Sequence, residues 1–415
     1  MTESDEVDEP SRRSPLLVVI AALLVVALVL GAVGWLVTGG DDDDDIVDSA
    51  AATTSTAPSS TTSTTDAEPV TEATLDEVVA ELSAFVAEER GREFKQPVAV
   101  TLLADDAFEA RVREDAVEDV AELEETEDVF RALGLLEPGV SLVEELQSFL
   151  GAGVVGFYDP ETGELVVRGA SLTPYVRLTL VHELTHAFDD QHFELHRPAL
   201  DDADDERGFA FGALVEGNAL RIEDAYRATL TEDERDDADA EEARLSAGID
   251  LEDVPPVLPQ LIGFPYAFGP MLVEALADEG GEARIDEAFG APPETSEQVL
   301  DSGTWLAGDA EPVDVPPPAA DGEVIDQGTL GLWGLYVILI SELGAPEAIQ
   351  AARGWGGDWY VAWREGDEVC IRATVVMDSG DDLDDLASGL DDWAAAQDDA
   401  SVTVADDSLQ LDSCG

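Results

Sequence analysis

Two histidines separated by three residues, with a glutamate directly after the first, form the pattern H-E-x-x-H at His182, Glu183 and His186. Residues four apart on an α-helix lie on the same face, one turn from each other, so both imidazoles can reach a single Zn²⁺ ion. Glu183 would then stand beside the metal, where a carboxylate can accept a proton from an activated water. The pattern predicts zinc-dependent hydrolysis with Glu183 as the general base.

A catalytic zinc site needs a third protein ligand and one open position. His192 lies six residues after His186, the spacing of metzincins, but Asp189 stands where the metzincin chain has its turn-forming glycine. If the helix simply continues, His192 points about 240° away from His186. Glu216 lies in a second predicted helix about thirty residues downstream, and two antiparallel helices would bring it to the metal. We therefore favour Glu216, with His192 as the alternative.

The elements that must position these residues have recognisable boundaries. Thr173 is a suitable N-cap for the predicted helix that carries H-E-x-x-H, and Pro174 occupies the first position of this helix. A β-hairpin with arms at 154–158 and 164–168 precedes this helix, and the second helix covers 208–230. We expect the arm at 164–168 to form the upper rim of the cleft and to pair with an extended substrate.

The rest of the chain is predicted to be mixed α and β, with acidic helices up to about residue 150. Apolar periodicity indicates further helices at 74–90, 266–279, 282–289, 328–343, 346–353 and 381–397, and strands at 97–103, 359–363, 368–377 and 401–411. The stretch up to residue 254 after the second helix is acidic and poorly patterned. Its run Glu232–Glu242 reads as a solvated loop or helix face, because it lacks the turn glycine of a calcium loop. The fold class is therefore α+β.

The N-terminal part of the chain has the composition of a membrane anchor. Residues 16–37 are an uncharged apolar stretch, long enough to cross a hydrocarbon core of about 30 Å. Arg12 and Arg13 precede it, so a cytoplasmic tail is predicted at 1–15, with the remainder of the chain outside the cell membrane. A cleaved signal peptide is the alternative, but its apolar region would be shorter and would end in an A-x-A-like site. A disordered linker rich in Asp, Ser and Thr is predicted at 38–72.

Charge and cysteine content limit the partners and the compartment. The chain has 94 Asp and Glu against 20 Lys and Arg, a net charge of −74, which argues against a nucleic-acid partner bound through phosphates. Hydrophobic residues make up 45% of the chain, enough for a sizeable core. The two cysteines, Cys370 and Cys414, are predicted to form one disulfide outside the cytoplasm.

The segment His182–Phe193, together with Leu214–Ala219, resembles a group of bacterial gluzincin-type zinc metallopeptidases. These proteins share the stretch H-E-L-T-H-A-x-x-D-Q and a downstream E-G-x-A. Similar segments at 156–168, 292–300 and 354–358 extend the resemblance over most of the chain between residues 150 and 380.

The resemblance implies a zincin-like metallopeptidase domain, mostly helical with a small sheet. We expect this domain over 73–355, followed by a small α+β module over 356–415. The ligand set implied for Zn²⁺ is the one favoured above, namely His182, His186 and Glu216.

The resemblance also implies a catalytic role for Tyr266. Residues 264–269 resemble a P-Y-x-x-G element whose tyrosine donates a hydrogen bond to the oxyanion; the alternative is an aromatic side chain packed in the core. One feature departs from thermolysin-like enzymes, which carry an aspartate four residues after the glutamate ligand, where this chain has Leu220. The carboxylate that orients a ligand histidine would then come from Asp190, Glu223 or Asp224.

The predicted function is that of a membrane-anchored, extracytoplasmic zinc peptidase with a peptide or protein substrate. Two alternatives share the same fold. One is a catalytically silent binding or scaffolding protein at the cell surface, and the other is a zinc hydrolase for a non-peptide amide or ester of the cell wall. The substrate, endo- or exopeptidase action and the oligomeric state stay open.

Overall fold

The computed structural model describes residues 72–115, 120–169, 171–201, 203–247, 254–308, 311–366 and 368–415. The predicted cytoplasmic tail, transmembrane helix and nearly all of the linker lie outside the described residues. Within the described ranges, no helix combines the length and the apolar character of a membrane span.

The described part of the chain is mostly helical. In chain order its helices are α1 Glu72–Glu89, α2 Asp105–Asp115, α3 Val120–Ala132, α4 Leu142–Gly153, α5 Pro174–Phe193, α6 Pro198–Asp201, α7 Arg207–Arg227, α8 Glu232–Ser246, α9 Val257–Gly280, α10 Glu282–Gly290, α11 Ser296–Leu300, α12 Ser302–Ala307, α13 Gly331–Leu343, α14 Ala345–Ala352 and α15 Gly380–Ala396. Its strands are β1 Val100–Leu103, β2 Gly156–Asp159, β3 Glu164–Arg168, β4 Glu323–Gly328, β5 Trp355–Glu365, β6 Glu368–Met377, β7 Ala400–Val404 and β8 Leu409–Cys414.

The small N-terminal sheet has the strand order β1-β3-β2. Strand β3 lies in the middle, parallel to β1 on one side and antiparallel to β2 on the other. Both of its edges are therefore already hydrogen-bonded, and the prediction that residues 164–168 pair with a substrate is wrong. The two edge strands are β1 and β2, and β2 packs against α5, the helix that carries H-E-x-x-H.

Two apolar clusters meet at helices α5 and α7. One cluster lies between α1, the small sheet and α5, and includes Leu82, Val167 and Leu184. The other includes the first half of α7 together with α9, α13 and the inner face of the C-terminal sheet. Because both clusters cover them, most residues of α5 and α7 are buried on every side. Polar side chains on these two helices are therefore enclosed and need partners within the protein or a bound ligand.

The C-terminal part of the chain is an α+β unit. Its sheet has the order β4-β5-β6-β8-β7 and is antiparallel throughout, with α15 packed on its inner face. Cys370 on β6 and Cys414 on β8 are directly opposite each other and form the disulfide that the sequence predicts. The coarse fold class is confirmed: a mostly helical region with a small sheet, followed by a C-terminal α+β sheet. The domain boundary after residue 355 stays a prediction.

Several elements differ from the prediction in extent. Helix α9 begins at Val257 rather than at 266, and continues through Pro265 and Pro270. The acidic stretch after α7 contains a regular helix, α8, which begins with a capping box between Thr231 and Glu234 and buries only Ala238. The predicted strand at 401–411 is a hairpin made of β7 and β8.

A buried glutamate lies at the junction between the helical region and the C-terminal sheet. Glu206, at the N-cap position of α7, accepts a hydrogen bond from the backbone N–H of Ser296 at 3.2 Å, and its Oε1 makes no hydrogen bond to the described residues. Burial raises the pKa of Glu206 to about 8, because the hydrogen bonds from Ser296 offset only part of the cost of desolvation and the nearby Asp358 carboxylate adds to it.

Replacing Glu206 by glutamine should flatten the dependence of stability on pH. Between about pH 5 and pH 8 the folded chain holds a proton on Glu206 that the unfolded chain releases, so the free energy of unfolding falls as the pH rises. From pH 5 to 8.5 the wild type should lose roughly 4 kcal/mol more than Glu206→Gln. Urea unfolding at both pH values measures the difference, and other buried carboxyls cancel because both proteins contain them. Equal losses of unfolding free energy in the wild type and in Glu206→Gln would show that burial does not raise the pKa of Glu206.

Candidate metal centre

Helix α5 carries the H-E-x-x-H pattern and has the predicted start. The Thr173 side chain accepts a hydrogen bond from the backbone N–H of Val176 at 3.2 Å, and Pro174 is the first helical residue. The helix ends at Phe193, where Glu194 adopts the left-handed conformation with φ of 59°. Asp190 stabilises this end, because its carboxylate accepts the backbone N–H of Leu195 at 2.9 Å. The helix therefore continues past the metal-binding pattern for nearly two turns.

Helices α5 and α7 run antiparallel, as the contacts along them show. Near the start of α5, Arg177 Nε donates to the hydroxyl of Tyr226 at 2.9 Å. Near the end of α5, Asn218 Nδ2 donates to Asp189 at 2.5 Å. Residue numbers thus rise along α5 as they fall along α7, which places Glu216 beside the histidines.

His182, His186 and Glu216 form a buried triad. Glu216 Oε2 lies 3.2 Å from Nε2 of His182 and 3.6 Å from Nε2 of His186. One ligand atom from each residue lies within 4.8 Å of the others, and this is the group of His, Cys, Asp and Glu residues in the described chain that could hold a metal ion. All three side chains are at most 5% exposed, so bulk water does not solvate these ionisable groups. Their charges must be stabilised by one another or by a bound ion.

Glu183 lies beside the triad with its two carboxylate oxygens in different environments. The carboxylate accepts a hydrogen bond from the backbone N–H of Tyr158 on β2. Its Oε1 is buried and makes no hydrogen bond to the described residues. Strand β2 therefore orients the carboxylate and leaves one oxygen for a group that the described residues do not supply.

Glu223 is the carboxylate that contacts a ligand histidine from behind. Its Oε2 lies 3.3 Å from Nδ1 of His182, on the ring edge opposite the nitrogen that faces Glu216. Of the other two candidates, Asp190 accepts the Tyr158 hydroxyl at 2.7 Å and Asp224 is exposed. A carboxylate in the position of Glu223 fixes the ring orientation and the tautomer that leaves Nε2 free to bind a metal.

Tyr266 on α9 also reaches the triad. It is buried, and its side chain is hydrogen-bonded to Glu216. Burial and the charges of Glu216 and Glu183 raise the pKa of Tyr266 well above its usual value, so its hydroxyl keeps its proton and can donate. The structure therefore brings the tyrosine of the P-Y-x-x-G element to the same site as the histidines.

The buried histidines and carboxylates at the triad shift one another's pKa values. Burial alone would lower the pKa of His182, but hydrogen bonds to Glu216 and Glu223 outweigh it and raise the pKa to about 10. Burial would raise the pKa of Glu216, but the two histidines outweigh it and lower the pKa to about 2. Burial raises the pKa of Glu183 to about 7, despite the two histidines. The site thus favours positive charge next to Glu216.

The residues fit a zinc ion. Two imidazole nitrogens and one carboxylate oxygen are a ligand set of catalytic zinc sites, and three protein ligands leave a position open. The second nitrogen of His182 is already held by Glu223, as in metal sites with an oriented histidine. The unpartnered Oε1 of Glu183 and Nδ1 of His186 are the polar atoms at this site that the described chain leaves without a hydrogen bond.

His192, the alternative third ligand, is not brought to the triad. Because α5 continues to Phe193, His192 turns away, and its Nε2 lies 3.1 Å from the backbone oxygen of Glu93. Its ring packs against Phe188, and burial lowers its pKa. His196 is exposed beyond the end of the helix.

Comparisons with known proteins inform the C-terminal part of the chain. Residues 319–413 match a family model described as a domain of unknown function (DUF8575). A search of curated proteins and a search of solved structures found no match. The matched range contains the five-stranded sheet and does not include the triad, so the chemistry of the triad rests on its geometry.

Proposed function

We propose that this chain is a zinc-dependent peptidase. The observation that carries the proposal is the buried group of His182, His186 and Glu216, with the unpartnered carboxylate oxygen of Glu183 beside it. His182 and His186 through Nε2, together with Glu216, would hold the ion. A structural zinc site with four protein ligands would not need a further carboxylate with a free oxygen.

Each of the other residues has a role in peptide hydrolysis. A bound Zn²⁺ supplies Lewis acidity, which polarises a carbonyl and makes a coordinated water more acidic. Glu183 accepts the proton of the attacking water and later gives it to the leaving amine. The backbone N–H of Tyr158 holds one side of the Glu183 carboxylate. Tyr266, protonated, donates a hydrogen bond to the oxyanion that develops on the substrate carbonyl.

The proposed location is the outer side of the cell membrane. The uncharged apolar stretch at 16–37, preceded by Arg12 and Arg13, supports a single-pass anchor with a cytoplasmic N-terminus. The disulfide between Cys370 and Cys414 supports an oxidising compartment for the C-terminal unit. The substrate would be an extracytoplasmic peptide or protein.

Metal analysis and hydrolysis of an unfolded polypeptide test the proposal together. The full-length chain, purified in detergent, should contain about one zinc per chain. It should cleave casein, lose this activity with a chelator and regain it with zinc. Zinc binding without cleavage of casein or of synthetic cell-wall amides and esters would favour the scaffolding alternative, and a chain that binds no zinc would contradict the proposal.

A further inference from the structure

A partly buried network of charged side chains adjoins the triad. It joins the end of α1 to α5, α7 and α10, and we call it the Arg90 cluster; its members are Arg90, Arg92, Asp189, Asn218, Arg221, Glu282 and Asp286. Sequence patterns gave no sign of it, because Arg90 and Asp189 are 99 residues apart.

The Arg90 cluster is balanced in charge. Its guanidinium groups, on Arg90, Arg92 and Arg221, match its carboxylates, on Asp189, Glu282 and Asp286. The side chains of Arg90 and Asp189 have no exposed surface, and Arg90 NH2 lies 3.1 Å from Asp189 Oδ1. Removing one partner of such a buried pair leaves an uncompensated charge, which typically costs about 3–5 kcal/mol. The cluster therefore holds its members in one geometry.

One hydrogen bond of the Arg90 cluster links the two helices that carry the triad. Asn218 Nδ2 donates to Asp189 Oδ2 at 2.5 Å, and both side chains are fully buried. At a rise of 1.5 Å per residue, Asp189 is about 4.5 Å along α5 from His186, and Asn218 is about 3 Å along α7 from Glu216. A sliding of one helix against the other would break this bond and would also change the distances within the triad.

We infer that the bond between Asp189 and Asn218, held in place by Arg90, fixes the spacing of the metal-ligand helices. Asp189 and Asn218 are thus positioning residues for the zinc site, an inference that rests on the proposed function. Arg90 extends this role to α1, the first helix of the described chain. Asn218 donates to one oxygen of Asp189, and Nε and NH2 of Arg90 donate to the other, so the carboxylate is fully engaged and does not compete for the metal.

Zinc affinity, measured apart from hydrolysis, tests this role. Asn218→Ala removes the link between the helices while leaving the pair of Arg90 and Asp189 intact. We expect zinc binding, measured by competition with a chromogenic chelator, to weaken about 10- to 100-fold. The isosteric Asn218→Asp places two carboxylates opposite each other without a cavity, and should weaken zinc binding at least as much.

The matched control is Asp286→Asn. Asp286 pairs with Arg90 and Arg92, and its replacement keeps both the bond from Asn218 to Asp189 and the pair of Arg90 and Asp189, so it should lower the unfolding midpoint of the metal-free chain and change zinc affinity less than about threefold. Unchanged affinity in both Asn218 variants, or an equal loss in Asp286→Asn, would overturn the inference. If the wild type binds zinc without hydrolysing peptides, a loss of zinc affinity in the Asn218 variants would support the inference, while the proposed function would be contradicted.

Discussion

Glu183→Gln is expected to leave zinc binding intact and to slow peptide hydrolysis by about 10³-fold. Glutamine keeps the shape of the side chain and can still accept the backbone N–H of Tyr158, so β2 should hold it in the same place. The amide cannot take up the proton of the attacking water, and this is the contribution of a general base. Initial rates on a fluorogenic peptide, with zinc content measured on the same sample, give the comparison.

Glu206→Gln is the matched control for this experiment. Glu206 is also a fully buried glutamate with one unpartnered oxygen, but it lies ten residues before Glu216, about 15 Å along α7. Its replacement should leave kcat within about twofold of the wild-type value, because it touches neither the triad nor Glu183. Full turnover by zinc-loaded Glu183→Gln would remove Glu183 from the mechanism, and an equal loss in both variants would point to general disruption of the fold rather than to loss of a general base.

Local rules were sufficient to predict the position of the helix that carries H-E-x-x-H and the convergence of Glu216, rather than His192, on its two histidines. The start of α5 follows from Thr173 and Pro174, whose effects act within one turn. The 100° rotation per residue separates His192 from the face that carries His186, and the structure places it against Glu93 instead. Both inferences needed only that a helix continue regularly.

Tertiary packing decided the features that local rules missed. Proline normally ends a helix, because it lacks an N–H and its ring clashes with the preceding turn, at a cost of about 3 kcal/mol. Helix α9 nevertheless continues through Pro265, and the turns before it bury Leu258, Leu261 and Ile262. Burial of each such side chain contributes roughly 1.5–3 kcal/mol, which offsets the proline penalty only within the folded protein.

The order of the strands in the small sheet and the buried ion pairs could not be predicted from the sequence either. Periodicity identified the residues of β3 as a strand but not its central place between β1 and β2. The sequence left three candidates for the carboxylate beside His182, namely Asp190, Glu223 and Asp224. The packing of α5 on α7 brings Glu223 to the histidine ring. The pairing of Arg90 with Asp189 has no local signal at all, since neither residue differs from an ordinary surface charge in its sequence context.

Helices α7 and α9 approach each other closely at two glycines beside the triad. A Cβ atom on Gly217 would lie 2.2 Å from the backbone carbon and oxygen of Gly269, and one on Gly269 would lie 2.2 Å from the backbone oxygen of Ala213. Gly217 stands between Glu216 and Asn218, and Gly269 lies one turn after Tyr266. The spacing of the two helices therefore sets the distance between Tyr266 and Glu216.

Gly217→Ala should destabilise the metal-free chain by about 3 kcal/mol, although alanine favours a helix by about 1 kcal/mol over glycine. The added methyl meets backbone, which cannot rotate away, so α7 and α9 must separate. Gly212→Ala, on the same helix, is the matched control: apart from the helix's own nearby backbone, no heavy atom of the described residues lies within 4 Å of the added Cβ. The substitution should stabilise the chain by up to about 1 kcal/mol. Urea unfolding of both variants gives opposite signs if packing dominates. Stabilisation by both substitutions would show that α7 and α9 can separate freely, and Tyr266 would then have no fixed place beside Glu216.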